Sequence, residues 1–161
     1  MNISNSDVIL LAHSTFGVFG TLTALWTFVE ALNASERNMR RTRAAATLTA
    51  FFMGITWILG GYWYVHFYPA DRALILKGPW PFAHTIFMET KEHLFYATLI
   101  LAIFLAIAAR EKLYASAAAR KLVLCTALLI VLTGLAIEGA GAVINHGVRV
   151  ALMHSTAEVP R

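Results

Sequence analysis

One cysteine, Cys125, in 161 residues excludes an internal disulfide and any cysteine-based metal or redox motif. Charge is scarce too. Asp, Glu, Lys and Arg make up 14% of the chain, against about 25% in soluble domains. No GxGxxG, P-loop, HExxH or GxSxG signature is present. Nothing therefore points to a nucleotide fold, a zincin or a hydrolase. The first residues, MNISNSDVILL, lack a basic n-region and include Asp7, so a cleaved signal peptide is not expected. There is no internal repeat or low-complexity segment.

Apolar side chains fill the space that charge leaves. They account for 58% of the residues, and the mean hydropathy is +0.64. Four apolar segments, at 8–32, 44–67, 82–109 and 121–146, are each long enough to cross a hydrocarbon core, which takes about 20 helical residues. Strands cannot cross lipid singly, so each segment reads as a helix. The net charge of +4 is concentrated in two short connections. One holds Arg37, Arg40, Arg41 and Arg43, and the other Arg110, Lys112, Arg120 and Lys121. This is a topology signal and not a nucleic-acid surface. The fold expected is an all-α membrane protein: a single domain over 1–161, forming an up-down-up-down bundle of four transmembrane helices. The positive-inside rule puts both basic connections in the cytoplasm. Both termini and the loop Pro69–Trp80 then lie on the outer side of a bacterial inner membrane. Tyr62, Trp63, Tyr64, Tyr68 and Trp80 gather at that end, as interfacial aromatics do.

Ionisable residues inside spans are costly and face the bundle or water. Counted from the basic connections at about 1.5 Å per residue, His13 stands about 29 Å out, His66 about 33 Å, Glu89 about 31 Å, and His93 and Glu138 about 25 Å each. Four helices thus place His or Glu in one layer. On the third helix, Glu89 and His93 share a stripe with Ile86, Ala97, Ile100 and Phe104. His13, Gly17, Gly20 and Thr27 form a small or polar stripe on the first helix, and Gly134, Glu138, Gly141, Ala142 and Asn145 another on the fourth. His84 points away from His93 and is expected to be exposed. The ordinary reading of Glu89 and His93 is a polar entry turn, with Lys91 and Glu92 solvated. Singly, each of these residues has an ordinary structural explanation. Together, His13, His66, Glu89, His93 and Glu138 resemble a metal-ligand set. Imidazole and carboxylate without thiolate suit a non-haem metal ion. His66 with His13 or His93 would suit the axial positions of haem b. Proton or quinone handling by Glu138 and a histidine is the third chemistry.

The segment GGYWYVHFY, a short loop and then KEHLFYATLILAIFLAIAAR resembles a family of small bacterial membrane proteins of unknown function. Some of its members assist maturation of haem–copper respiratory oxidases. The resemblance covers about Ala44–Arg110 and matches His66 and His93 to two histidines of that family. The chain departs from it in having no histidine in either basic connection. The resemblance implies a metal- or haem-linked respiratory role. The expectation is electron transfer, or metal or haem handling for a larger oxidoreductase, with membrane lipid and other membrane subunits as partners and no nucleic acid. A cofactor-free accessory subunit and a metal-dependent membrane enzyme are the alternatives.

Overall fold

The first helix, α1, spans Asn5–Leu32 and begins three residues before its apolar segment. A capping box explains the extension. Ser4 Oγ accepts from the Asp7 N–H at 3.2 Å, and the Asp7 carboxylate accepts from the Ser4 N–H at 3.1 Å. The structure, a computed structural model, describes residues 4–157.

Helix α2 spans Met39–His66 and takes Arg40, Arg41 and Arg43, expected in a loop, into its first turns. The remaining connection is short because Asn38 organises it. The Asn38 amide donates to the Glu30 and Asn33 carbonyls at 2.9 and 3.1 Å, and its oxygen accepts from the Ser35 N–H at 2.8 Å. The expected loop Pro69–Trp80 is largely a helix, α3, at Tyr68–Lys77. Pro69 suits its first turn, and Asp71 and Lys77 complement its dipole at the two ends. Tyr68 and Ile75, seven residues apart on one face, are buried.

The third span is not a uniform α-helix. It starts as a π segment, Ala83–Met88, and runs into α4, Glu89–Ala108. Wider π turns shift the faces of residues before them relative to those after. Helix α5, Ala117–Ala157, has 41 residues and starts where Ser116 Oγ accepts from the Ala119 N–H. At about 1.5 Å per residue it is about 60 Å long, about twice the hydrocarbon thickness.

The long helices pack α1 on α2, α2 on α4, α4 on α5 and α5 on α1. This is a closed up-down-up-down bundle of four helices long and apolar enough to cross a membrane. Its interior is rich in small residues. Ala24, Ala45, Ala46, Ala102, Thr42, Thr49 and Thr98 are buried, while Phe51, Ile58, Ile100, Ile107 and Leu135 are exposed. Such an arrangement suits lipid, where close backbone approach drives helix association and large apolar side chains face outward. The threonines satisfy themselves by bonding carbonyls one turn back, and two reach across helices. Thr49 donates to Thr23 at 3.1 Å and Thr98 to Thr133 at 2.9 Å.

The two ends of the bundle differ. At one end Arg43 Nη2 donates to the Arg110 carbonyl at 2.8 Å, tying the two basic connections together. At the other, Tyr68, Ile75, Ala83, Met88 and Ile144 form a separate small core. There α3 and the π segment pack on α5 as a cap. Gly78 and Gly147 permit this, since a β-carbon on either would fall 2.7 Å from the β-carbon of Ala151 or Ala83.

Candidate functional site

Three ionisable side chains from three helices meet toward the cap end of the bundle interior. His13 comes from α1, Lys91 from α4 and Glu138 from α5. Each occupies room made by a glycine on another helix. His13 lies on Gly60 of α2, where a β-carbon would fall 2.5 Å from the imidazole. Glu138 lies on Gly17 of α1, where a β-carbon would fall 2.7 Å from Oε1. The Lys91 ammonium lies over Gly141 of α5, 3.2 Å from the corresponding point. The small-residue stripes of α1 and α5 thus face each other, as their spacing suggests, with Gly134 also accommodating Thr21.

His13 has a fixed orientation. Its Nδ1 lies 2.9 Å from the Thr56 carbonyl oxygen. A carbonyl only accepts, so Nδ1 carries the proton and the neutral ring presents Nε2 as a lone pair. Nε2, the Lys91 ammonium and the Glu138 carboxylate have no hydrogen-bond or ion-pair partner within 4.0 Å among the described residues. No buried side-chain nitrogen or oxygen there is left unpaired. The three polar ends are therefore open to the cavities that adjoin them.

Two cavities share this wall. The first, about 270 Å³, is lined by His13, Ser14, Lys91, Glu138 and Asn145, with Asp71 contributed by the cap. Burial raises the Asp71 carboxyl above the ordinary carboxylate range. The second, about 170 Å³, lies between α2 and α4 and is lined by His13, Lys91, Glu92, Trp57, Trp63, Tyr64 and Phe95. Leu10, Trp63 and Met88 border both cavities.

The remaining residues of the expected ligand layer lie elsewhere. His66 is exposed and packs against the Tyr62 ring at 4.3 Å between centroids. His93 is exposed, and its Nδ1–H donates to the Glu89 carbonyl in its own helix. The Glu89 side chain is 60% exposed, with Oε1 4.0 Å from His84 Nε2. The whole stripe from Ile86 through Glu89 and His93 to Phe104 faces outward. Only His13 and Glu138 of the five share a cavity. Among the described residues no group of three or more His, Cys, Asp or Glu side chains is placed to hold a metal ion.

The inward face of the third span carries Met88 at the end of the π segment and Lys91, Thr98, Ala102 and Leu105 on α4. Lys91, solvated on the ordinary reading of that turn, is thus part of the site. The signal was available: Lys91 precedes Thr98 by seven residues and Ala102 by eleven, and small residues mark the interior face of a membrane bundle. His84, expected to be exposed, is 4% exposed. The π segment and the cap enclose it, and its Nδ1 lies 2.9 Å from the Tyr68 hydroxyl. Burial also raises the Tyr68 phenol. Asp71 went unrecognised because it joins the site only through α3. Comparison with protein families, with characterised proteins and with solved structures yields no match.

Proposed function

We propose that this multi-pass membrane protein binds a proton and a small polar ligand at His13, Lys91 and Glu138, in service of a membrane redox complex. The observation that carries the reading is the open state of the three polar ends. Three helices each place an ionisable group in the bundle, at a cost of several kcal/mol per charge. None of the three is consumed by a structural hydrogen bond at its free end. Water or a ligand must complete them. His13 Nε2 is a base held in place, Lys91 a donor, and Glu138 an acceptor or proton carrier.

The proposed setting is a bacterial inner membrane, with the basic connections in the cytoplasm and the cap outside. Asp71 of the cap then borders the cavity on the side from which outer protons arrive. Respiratory membrane subunits are the proposed partners, and the exposed apolar faces would meet either them or lipid.

Infrared titration of the protein in liposomes tests this. The expected result is a pH-dependent carboxyl band that disappears in Glu138→Gln and moves in Lys91→Met. No Glu138-dependent band between about pH 5 and pH 9 would overturn the proton reading.

A metal-centred role is the second reading, favoured by one feature. Ligating histidines commonly donate their other N–H to a carbonyl, as His13 does to Thr56. The site would rest on His13 Nε2 and Glu138, with the Lys91 ammonium opposing the cation's charge. A haem b site spanning His66 and His93 would need both exposed rings to turn inward. Near-stoichiometric metal in purified protein, lost in His13→Phe and Glu138→Gln, would put the metal role first.

A further inference from the structure

We propose that the cavity between α2 and α4 takes the head group of a membrane hydroquinone, one hydroxyl donating to His13 Nε2 and the opposite oxygen accepting from Lys91. The inference rests on the binding role proposed for His13 and Lys91 and names its ligand. Four features of the cavity select this chemistry.

The walls are aromatic. Trp57, Trp63, Tyr64 and Phe95 line the cavity, and such surfaces stack on a flat conjugated ring. The size is also restrictive. At about 170 Å³ the cavity is smaller than the ~300–1,000 Å³ pockets that enclose a drug-sized ligand. One ring fits, and a tail must stay outside.

The rim supplies a place for that tail. Trp57 and Tyr96, on either side, are 44% and 58% exposed. Gly61 is exposed, with no atom within 4 Å of where a β-carbon would stand. The opening lies within two membrane-spanning helices, so it faces lipid or a neighbouring subunit. A head group can enter there with its apolar tail trailing in the bilayer.

The polar pair distinguishes redox states. The Thr56 carbonyl fixes the His13 tautomer, so neutral His13 accepts at Nε2 and Lys91 donates. A quinol offers one donor and one acceptor and satisfies both. A quinone offers two acceptors and leaves Nε2 facing a lone pair. A fatty-acid carboxylate would satisfy Lys91, but it would oppose Nε2 and add a negative charge to a cavity that Glu92 also lines. The quinol is the species that matches both groups.

The test is tryptophan fluorescence of purified protein in liposomes, titrated anaerobically with a short-tailed benzoquinol and, separately, with the same benzoquinone. Saturable quenching is expected, with the quinol bound at least about fivefold more tightly, as one matched hydrogen bond provides. His13→Phe should abolish the preference. Gly61→Leu, whose β-carbon meets nothing within 4 Å, should narrow the rim and weaken binding of both. Quenching that only follows partition into lipid, equal affinity for the two forms, or indifference to Gly61→Leu would overturn the proposal. If the Glu138 infrared titration persists in that case, the proton-binding role stands and only the ligand is wrong. If both are absent, the functional reading fails with it.

Discussion

His13 Nδ1 lies 2.9 Å from the carbonyl oxygen of Thr56, on the neighbouring helix. The bond exists because Gly60, one turn beyond Thr56, lets the imidazole lie on the backbone. Gly60→Ala would place a β-carbon 2.5 Å from a rigid ring. Either the ring leaves Thr56 or the helices part. The expected cost is about 1–3 kcal/mol, as for overpacking in a filled interior. Thermal unfolding in mild detergent measures it. Gly61→Ala, which meets nothing within 4 Å, should change stability by less than about 0.5 kcal/mol. Gly141→Ala should also be mild, because it meets only the mobile end of Lys91 at 3.2 Å. Equal effects at Gly60 and Gly61 would remove the basis for a fixed His13 tautomer.

Gly17 and Glu138 should be coupled. A β-carbon on Gly17 would stand 2.7 Å from Glu138 Oε1. Gly17→Ala should therefore destabilise the wild type more than it destabilises Glu138→Ala, in which the conflicting oxygen is gone. The interaction energy expected from a double-mutant cycle is about 0.5–3 kcal/mol. Additivity within experimental error would mean that the carboxylate is not held against α1.

The cap should respond to pH through Asp71. Burial raises its carboxyl from the ordinary value of 3.8, so the folded protein holds this proton at pH values where the unfolded chain has released it. Its contribution to stability is present in full below the unfolded value. It falls as pH rises through the window up to the folded value, and stays lost above it. Asp71→Asn has no such loss. Its stability relative to wild type should rise on going from acid to neutral pH and then level off. Unfolding of both proteins across that range measures the difference. A constant difference would show that Asp71 is not desolvated by the cap.

The four spans were legible because length and apolar content suffice to mark a membrane helix. The faces of the third span were harder. A carboxylate and a histidine four residues apart, Glu89 and His93, suggested an inward functional stripe, yet that stripe faces outward. In lipid the interior belongs to small residues, so Thr98 and Ala102 were the better guide, and they point to Lys91. His13 and Glu138 were legible for the same reason, since each belongs to a glycine-containing stripe. His84 was misread because the π segment, which composition does not announce, changes its face, and because Tyr68 is brought over it by α3. Asp71 joins the site through tertiary packing alone, which no local spacing encodes.

The orientation proposed for the bundle has its own test. Arg43 bonded to the Arg110 carbonyl keeps the two basic connections at one end, and Lys77 of α3 lies at the other. Cys125 is exposed and would confuse thiol labelling, so Cys125→Ser is the background. Lys77→Cys and Lys112→Cys are both exposed positions, one at each end. In intact bacterial cells a membrane-impermeant maleimide should label Lys77→Cys and leave Lys112→Cys unmodified until the cells are opened. The positive-inside bias demands this order, because eight of the thirteen Lys and Arg residues lie in the two basic segments. The reverse order would place the cap in the cytoplasm, and Asp71 and the cavity behind it would then exchange protons with the inside of the cell.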